Sequence, residues 1–266
     1  MSTLANARDV LHLMADLRQD LTVTQVSEHL RQPKSSISRT LALMAQHGFL
    51  ERDPETMAYR PGPLVVEAAF RGRASRGITE LLHDAVASLV DQTGYASYVN
   101  VLSGAETLVI HMQAGHAGRL QVYTPEGSRG PAYATSMGRA ILARLSDDEV
   151  ISVVGDDFRL ATGSAPTSTG ELLTRLAVVR ARGYSISRGE IVENVAGVSA
   201  AVVDVHRSSP YGLGVALPAT ELDQHDADLA RIVRSIARDV GTHIGDAYWL
   251  ESLSDPTDPG GGATQA

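Results

Sequence analysis

The chain has 266 residues, 43% of them hydrophobic and 20% charged, and no cysteine. That length exceeds the usual size of one domain, so two are expected, and the missing cysteines exclude disulfides and thiolate metal sites. The net charge of −8 is uneven: residues 1–76 carry 10 Lys+Arg against 8 Asp+Glu, a local +2, while residues 77–266 carry 13 against 23, a local −10. Such an acidic C-terminal part repels nucleic acid, so any nucleic-acid contact belongs to the N-terminal part. The first residues, MSTLANARDV, lack a basic stretch followed by an apolar core, and no apolar run approaches membrane-spanning length. A cytoplasmic protein without a membrane partner is therefore expected.

Ala7, Val10, Leu11, Met14 and Leu17 form one apolar stripe, which predicts a first amphipathic helix. Thr22 and Gln25 have capping-box spacing, and Val23, Val26 and Leu30 follow at i, i+3 and i+7, so a second helix starts there. Pro33 ends that helix and suits the first turn of the next. Ile37, Leu41 and Met44 then recur at helical spacing, and Gly48 provides a stop. Phe49–Arg52, Asp53-Pro54 and Met57–Arg60 read as strand, turn and strand. Three helices and a hairpin make a winged helix-turn-helix. The outer side of its third helix carries small, polar and cationic residues, as a helix approaching the major groove requires. Lys34, the only lysine in the chain, stands at the N-terminus of that helix, where free N–H groups already favour phosphate. The candidate DNA contacts are Thr22, Lys34, Ser35, Ser36, Ser38 and Arg39, with Arg52 and Tyr59 from the wing.

After the Pro61-Gly-Pro63 break, Leu64–Phe70 reads as a short helix, and Arg71–Gly77 as a linker. Ile78–Gln92 is a helix stopped by Gly94. Tyr95–Leu102 and Thr107–Met112 form a hairpin, Arg119–Tyr123 suggests another strand, and Pro125–Pro131 a loop. Ser136–Leu145 is helical, Ser146 and Glu149 have a second capping-box pattern, and a helix starting at Ser168 stops at Gly183. Val198–Val205 and Tyr211–Leu217 are nearly continuous apolar runs, the pattern of strands buried on both faces. Asp223–Ala247 is a long amphipathic helix, and the Pro/Gly-rich end has little to bury, so it is expected to be disordered. The irregular mixture of strands and helices predicts an α+β domain.

These segments carry a resemblance. Pro33–Arg39, His47–Arg52, Tyr59–Gly62, Ala134–Ala143, Arg182–Tyr184, Gly189-Glu190 and Gly197–Ala201 resemble, in order and spacing, the IclR family of bacterial transcription regulators over about residues 4–247. The resemblance implies a winged helix-turn-helix over residues 1–62, a linker helix over 63–77 and a GAF-like effector-binding domain over 78–250, with a tail at 251–266. It also implies a homodimer or homotetramer that binds a double-stranded DNA operator and answers to a small, often carboxylic, metabolite; since one winged domain reads few base pairs and carries a net charge of only +2, an inverted-repeat operator is expected. By position, the effector residues are Ser136, Met137, Val198, Ala200, Val215 and Leu217, with Ser187 or Glu190 at the mouth.

Other constellations point to less. His111 and His116 lie across a strand end with no third ligand, so ordinary hydrogen-bonded histidines are expected, and no metal or cofactor. Ala134–Gly138 lacks the first glycine of a nucleophile elbow. Arg119, Arg129 and Arg139 flank the same region, and surface salt bridges are expected for at least two of them. Arg129, in a glycine-rich loop, is the one expected to grip a carboxylate, because a guanidinium can do so in bidentate fashion. The leading expectation is a ligand-responsive transcription regulator. The alternatives are a metabolic enzyme with an N-terminal regulatory winged-helix module, which a turnover assay would reveal, and a winged-helix protein-interaction module, which would be indifferent to DNA in a gel shift.

Overall fold

The computed structural model describes residues 3–251 apart from 18, 74–77, 117–120, 157, 159–161, 163 and 206–208. The chain divides into two compact units, Met1–Thr79 and Glu80–Ala266. In the first, α1 (Thr3–Leu17), α2 (Val23–Leu30) and α3 (Lys34–Gln46) precede a hairpin of β1 (Leu50–Arg52) and β2 (Tyr59–Pro61), and α4 (Pro63–Arg73) follows. The apolar stripes meet as their periodicity requires: Val10, Met14, Val26, Ile37, Leu41, Met44 and Leu50 are buried in one cluster. The capping box forms in full, with Thr22 N donating to Gln25 Oε1 at 2.8 Å and Gln25 N donating to Thr22 Oγ1 at 3.4 Å. Arg31, in the left-handed region at φ 52°, closes α2. At the wing tip Asp53 accepts from the backbone N–H groups of Thr56 and Glu55, each at 2.8 Å. These bonds, Thr56 foremost, hold its carboxyl below the usual range.

The second unit is built on a six-stranded antiparallel sheet in the order β5-β4-β3-β8-β7-β6. Its strands are β3 (Ala96–Ser103), β4 (Glu106–Gln113), β5 (Arg129–Pro131), β6 (Ser185–Arg188), β7 (Val195–Asp204) and β8 (Ser209–Pro218). The helices are α5 (Ile78–Thr93), α6 (Ser136–Leu142), α7 (Asp147–Val154), α8 (Thr169–Arg182), α9 (Ala219–His243) and α10 (Ala247–Glu251). Both α6 and α9 pack on β7 and β8.

Strand parity separates the two faces of those strands. A Cβ on Gly197 would lie 2.5 Å from Ser136 Oγ, and one on Gly212 2.9 Å from the Met137 side chain, so these glycines face α6. Residues paired across an antiparallel ladder share a face. Gly197, Ser199 and Ala201 therefore look toward α6 together with their partners Ala216, Gly214 and Gly212. Val198, Ala200 and Val202, paired with Val215, Leu213 and Tyr211, look away.

Several segments differ from the sequence-based expectation. The end of the expected Pro125–Pro131 loop pairs with β4 as β5. Ser185–Arg188 pairs with β7 as an edge strand. Residues 121–123 are not in a strand, and residues 117–120, including Arg119, lie outside the described residues. The last long helix begins at Ala219 and ends at His243. The expected tail lies outside the described residues from 252 onward, as do 74–77 of the expected linker. Among the described residues, no helix is long and apolar enough to cross a membrane.

Candidate functional site

On the first unit, burying Ile37, Thr40, Leu41 and Met44 orients α3. This leaves Lys34, Ser35, Ser36, Ser38, Arg39 and Ala42 exposed on its other side. Arg52 is exposed on the wing, with its guanidinium 5.4 Å from the centre of the Tyr59 ring. Two expected contacts are placed otherwise. Tyr59 is only 4% exposed and belongs to the core. Its backbone pairs with Leu21, at 3.0 and 2.9 Å, which turns the ring inward beneath Arg52. Thr22 Oγ1 is occupied by the capping box, donating to Gln25 Oε1 at 2.9 Å. Tyr59 is thus part of the core, and the Thr22 side chain is bound within the start of α2. Arg60 is tied to Glu51 across the hairpin at 3.1 Å.

On the second unit, a cavity of about 470 Å³ opens between α6, the cavity-facing sides of β3, β4 and β7, and the segments 121–124 and 187–192. Its volume falls in the range that holds compact metabolites. α6 is set by Thr135, whose Oγ1 accepts from Gly138 N at 2.9 Å. Ser136 and Met137 from its first turn line the cavity, as do Ser187 and Glu190. Ser136 Oγ lies 2.8 Å from Ser199 Oγ, both buried. Tyr98 forms part of the wall, and its hydroxyl donates to Val122 O at 2.7 Å and accepts from Thr124 N at 3.3 Å. Burial pushes that hydroxyl's pKa up.

The expected wall residues divide by strand parity. Val198, Ala200 and Leu217 are fully buried and do not line the cavity. They lie on the sheet face turned from α6, as the register requires. Val215 shares their face and reaches the lining beside Gly197, where a Cβ would lie 3.3 Å from Val215 O. Arg129 borders the cavity beside Ser128 and Gly130, on β5 where it pairs with Leu108. The Arg129 guanidinium donates to Ser103 Oγ at 3.1 Å and to Glu106 at 3.4 Å. Its guanidinium is thus paired at the edge of the cavity.

Glu190 does border the cavity, but its carboxylate is spoken for. Arg139, 2% exposed, forks onto both its oxygens and donates as well to Tyr133 O at 3.0 Å and Ile186 O at 2.6 Å. Arg175 approaches Glu190 from outside at 3.4 Å. Arg139 thus makes no surface salt bridge; it is a buried clamp between α6 and the segment after β6. His111 bonds to Glu126 at 3.1 Å and stacks on His83, with ring centres 3.9 Å apart. Sequence reasoning also misses Asn100, a buried polar residue on the cavity wall. The available signal is one amide in the otherwise apolar run Tyr98–Leu102.

Known proteins share this arrangement. The sequence matches the profile described as the IclR helix-turn-helix domain over residues 3–54 and that of the bacterial transcriptional regulator IclR C-terminal over residues 73–242. It is 26% identical over 223 residues to the HTH-type transcriptional regulator BhcR of Paracoccus denitrificans, covering 82% of this chain and 78% of that one. It is 24% identical to the transcriptional repressor IclR of Escherichia coli, covering 90% and 89% of the two chains. The fold superimposes on the crystal structure of an IclR homolog complexed with 4-hydroxybenzoate from Microbacterium hydrocarbonoxydans, with a TM-score of 0.75 and 21% identity, over 92% of this chain and 99% of that one. With the two profiles together spanning most of the chain, over the helix-turn-helix unit and the α+β unit alike, this chain belongs to the IclR family of bacterial transcriptional regulators.

Proposed function

We propose that the chain binds an operator through Lys34, Ser35, Ser36, Ser38 and Arg39 of α3, with Arg52 on the wing, and that a small molecule held in the 470 Å³ cavity controls its DNA affinity. The observation that carries the reading is the exposed face of α3, on which every one of those five helix residues lies. The effector is compact and largely apolar in its contacts. The expectation of a carboxylate comes from the family resemblance, with Arg129 as the candidate grip. With that guanidinium paired to Glu106, and Arg139 committed to Glu190, the reading does not require one. A local charge of only +2 over residues 1–76 gives weak non-specific attraction. The working species is therefore a homo-oligomer on an inverted repeat.

Two measurements test the reading. Arg39→Ala is expected to weaken operator binding by about 1–3 kcal/mol and relax preference at one base step, as for a lost bidentate base contact. Lys34→Ala should weaken all sequences alike and flatten the salt dependence, as for a lost phosphate contact. Fluorescence anisotropy on operator and scrambled DNA checks both; unchanged affinity in the two variants would remove α3 from the interface.

The cavity is tested at Ser187, which lines it from the half-buried rim. Ser187→Trp should fill it without disturbing the first unit. Binding of small molecules is expected to fall below detection while ligand-free operator affinity stays within about twofold. 4-Hydroxybenzoate, held by the Microbacterium homolog, is the first compound to titrate, followed by a panel of small metabolites. A folded variant whose DNA binding still responds to an active compound would place the effector elsewhere.

A further inference from the structure

The polar groups around the cavity are nearly all satisfied within the protein. The Ser136 and Ser199 hydroxyls meet each other, Thr107 Oγ1 donates to Gly130 O at 3.3 Å, Glu190 is held by Arg139, and the Tyr98 hydroxyl is engaged with residues 122 and 124. Asn100 differs. It lines the cavity, is 7% exposed, and among the described lining residues its Oδ1 is the one buried side-chain oxygen without a hydrogen-bond partner. Leaving such a carbonyl unpaired opposes folding, and native structures rarely tolerate one without a use.

Its surroundings define what can pair with it. Asn100 pairs with Gly212 on β8 and with Val109 on β4, all on the face turned to α6. Gly212 is the position whose missing Cβ makes room for Met137. Tyr98, Val109 and Met137 form one apolar cluster beside it. The carboxamide thus sets one unpaired buried oxygen, with its own NH2 beside it, in an apolar floor. The terminal torsion of asparagine is broad, so the oxygen can turn to the cavity without leaving its side-chain rotamer.

We propose that Asn100 is a specificity-determining residue of the effector cavity and selects a compact, mainly apolar ligand that carries a hydroxyl or N–H donor to its Oδ1. This rests on the cavity being the effector site. The ligand's apolar body covers Met137 and Val109, and its donor completes the buried Asn100 Oδ1. A site built to receive a donor rejects an analogue of the same shape that lacks it.

The test is calorimetric titration of the full chain with 4-methylphenol and with its methyl ether, 4-methylanisole, which keeps the shape but cannot donate. The wild type should bind the phenol about tenfold more tightly, as one neutral hydrogen bond warrants. Asn100→Leu, with the same branched shape, should bind the two alike and should melt no lower than wild type, because it removes an unpaired polar group. Asn100→Val repeats the comparison should the leucine variant misfold. Equal binding of phenol and ether by the wild type, or a tenfold preference surviving in either variant, overturns the role of Asn100 and leaves the cavity as effector site. Undiminished binding of 4-methylphenol by Ser187→Trp overturns the cavity reading itself. Failure of the wild type to bind either compound up to its solubility overturns the ligand class.

Discussion

Glu190→Ala is expected to lower the stability of the second unit by about 3–5 kcal/mol, the cost of breaking a buried ion pair by removing one partner. Arg139 and Glu190 have side chains 2% and 7% exposed. Without the carboxylate, the guanidinium keeps only the Tyr133 and Ile186 carbonyls. Its charge then stays buried without a counter-ion. Arg175, on the outer side, offers none. The pair itself is a poor source of net stability, because both ions give up water to form it. The double variant Arg139→Met/Glu190→Leu is therefore expected to recover most of the loss. The chain contains one tryptophan, Trp249, which is 1% exposed in the second unit and donates to Ala201 O at 3.0 Å. Its fluorescence during urea unfolding reports on that unit separately from the first. A single variant as stable as wild type, or a double variant less stable than the single, would mean that the clamp does not bear on the fold. Because Arg139 shares α6 with Ser136 and Met137, the double variant should still bind ligand more weakly even where stability returns.

The parts of the molecule that can be read from the sequence are those specified by short-range signals. Thr22 and Gln25, or Ile37, Leu41 and Met44, need only helical geometry to meet, and they do. Tyr59 reads as exposed because a three-residue strand is too short to show which side is buried, and the deciding contact is the backbone pairing to Leu21, 38 positions away. Strands β5 and β6 have sequences Arg-Gly-Pro and Ser-Ile-Ser-Arg, with no apolar alternation; they are strands only because β4 and β7 offer an edge. The assignment of Val198 and Ala200 to the cavity fails for a related reason. A continuously apolar run is buried on both faces, so its composition cannot say which side looks at α6, and an offset of one residue reverses every side chain. The Arg139–Glu190 clamp joins positions 51 apart and has no local signature at all.

Inserting half a helical turn, about 5 bp, between the two halves of an inverted-repeat operator is expected to weaken binding by about 10²–10⁴-fold, the gain that linking two modules provides when both can engage at once. The reasoning starts from one first unit. Its exposed α3 face spans Lys34 to Ala42, a little over two helical turns, which limits it to a few base edges. Its charge of +2 supplies little phosphate attraction. Tight, selective binding then requires two such faces held by the oligomer at a fixed spacing. Rotating one half-site by half a turn presents the opposite side of the duplex, and one α3 loses its groove. A full-turn insertion of about 10 bp restores the facing at a longer span and should recover part of the affinity. The measurement is a gel-shift titration on the native, half-turn and full-turn spacings, with light scattering at the same protein concentration. Equal affinity for all three, or a monomer that binds the native operator tightly, would show that a single α3 face is sufficient. Where ligand controls the spacing, the effector should change affinity for the native operator and leave binding to an isolated half-site untouched, because coupling acts only through the state it distinguishes.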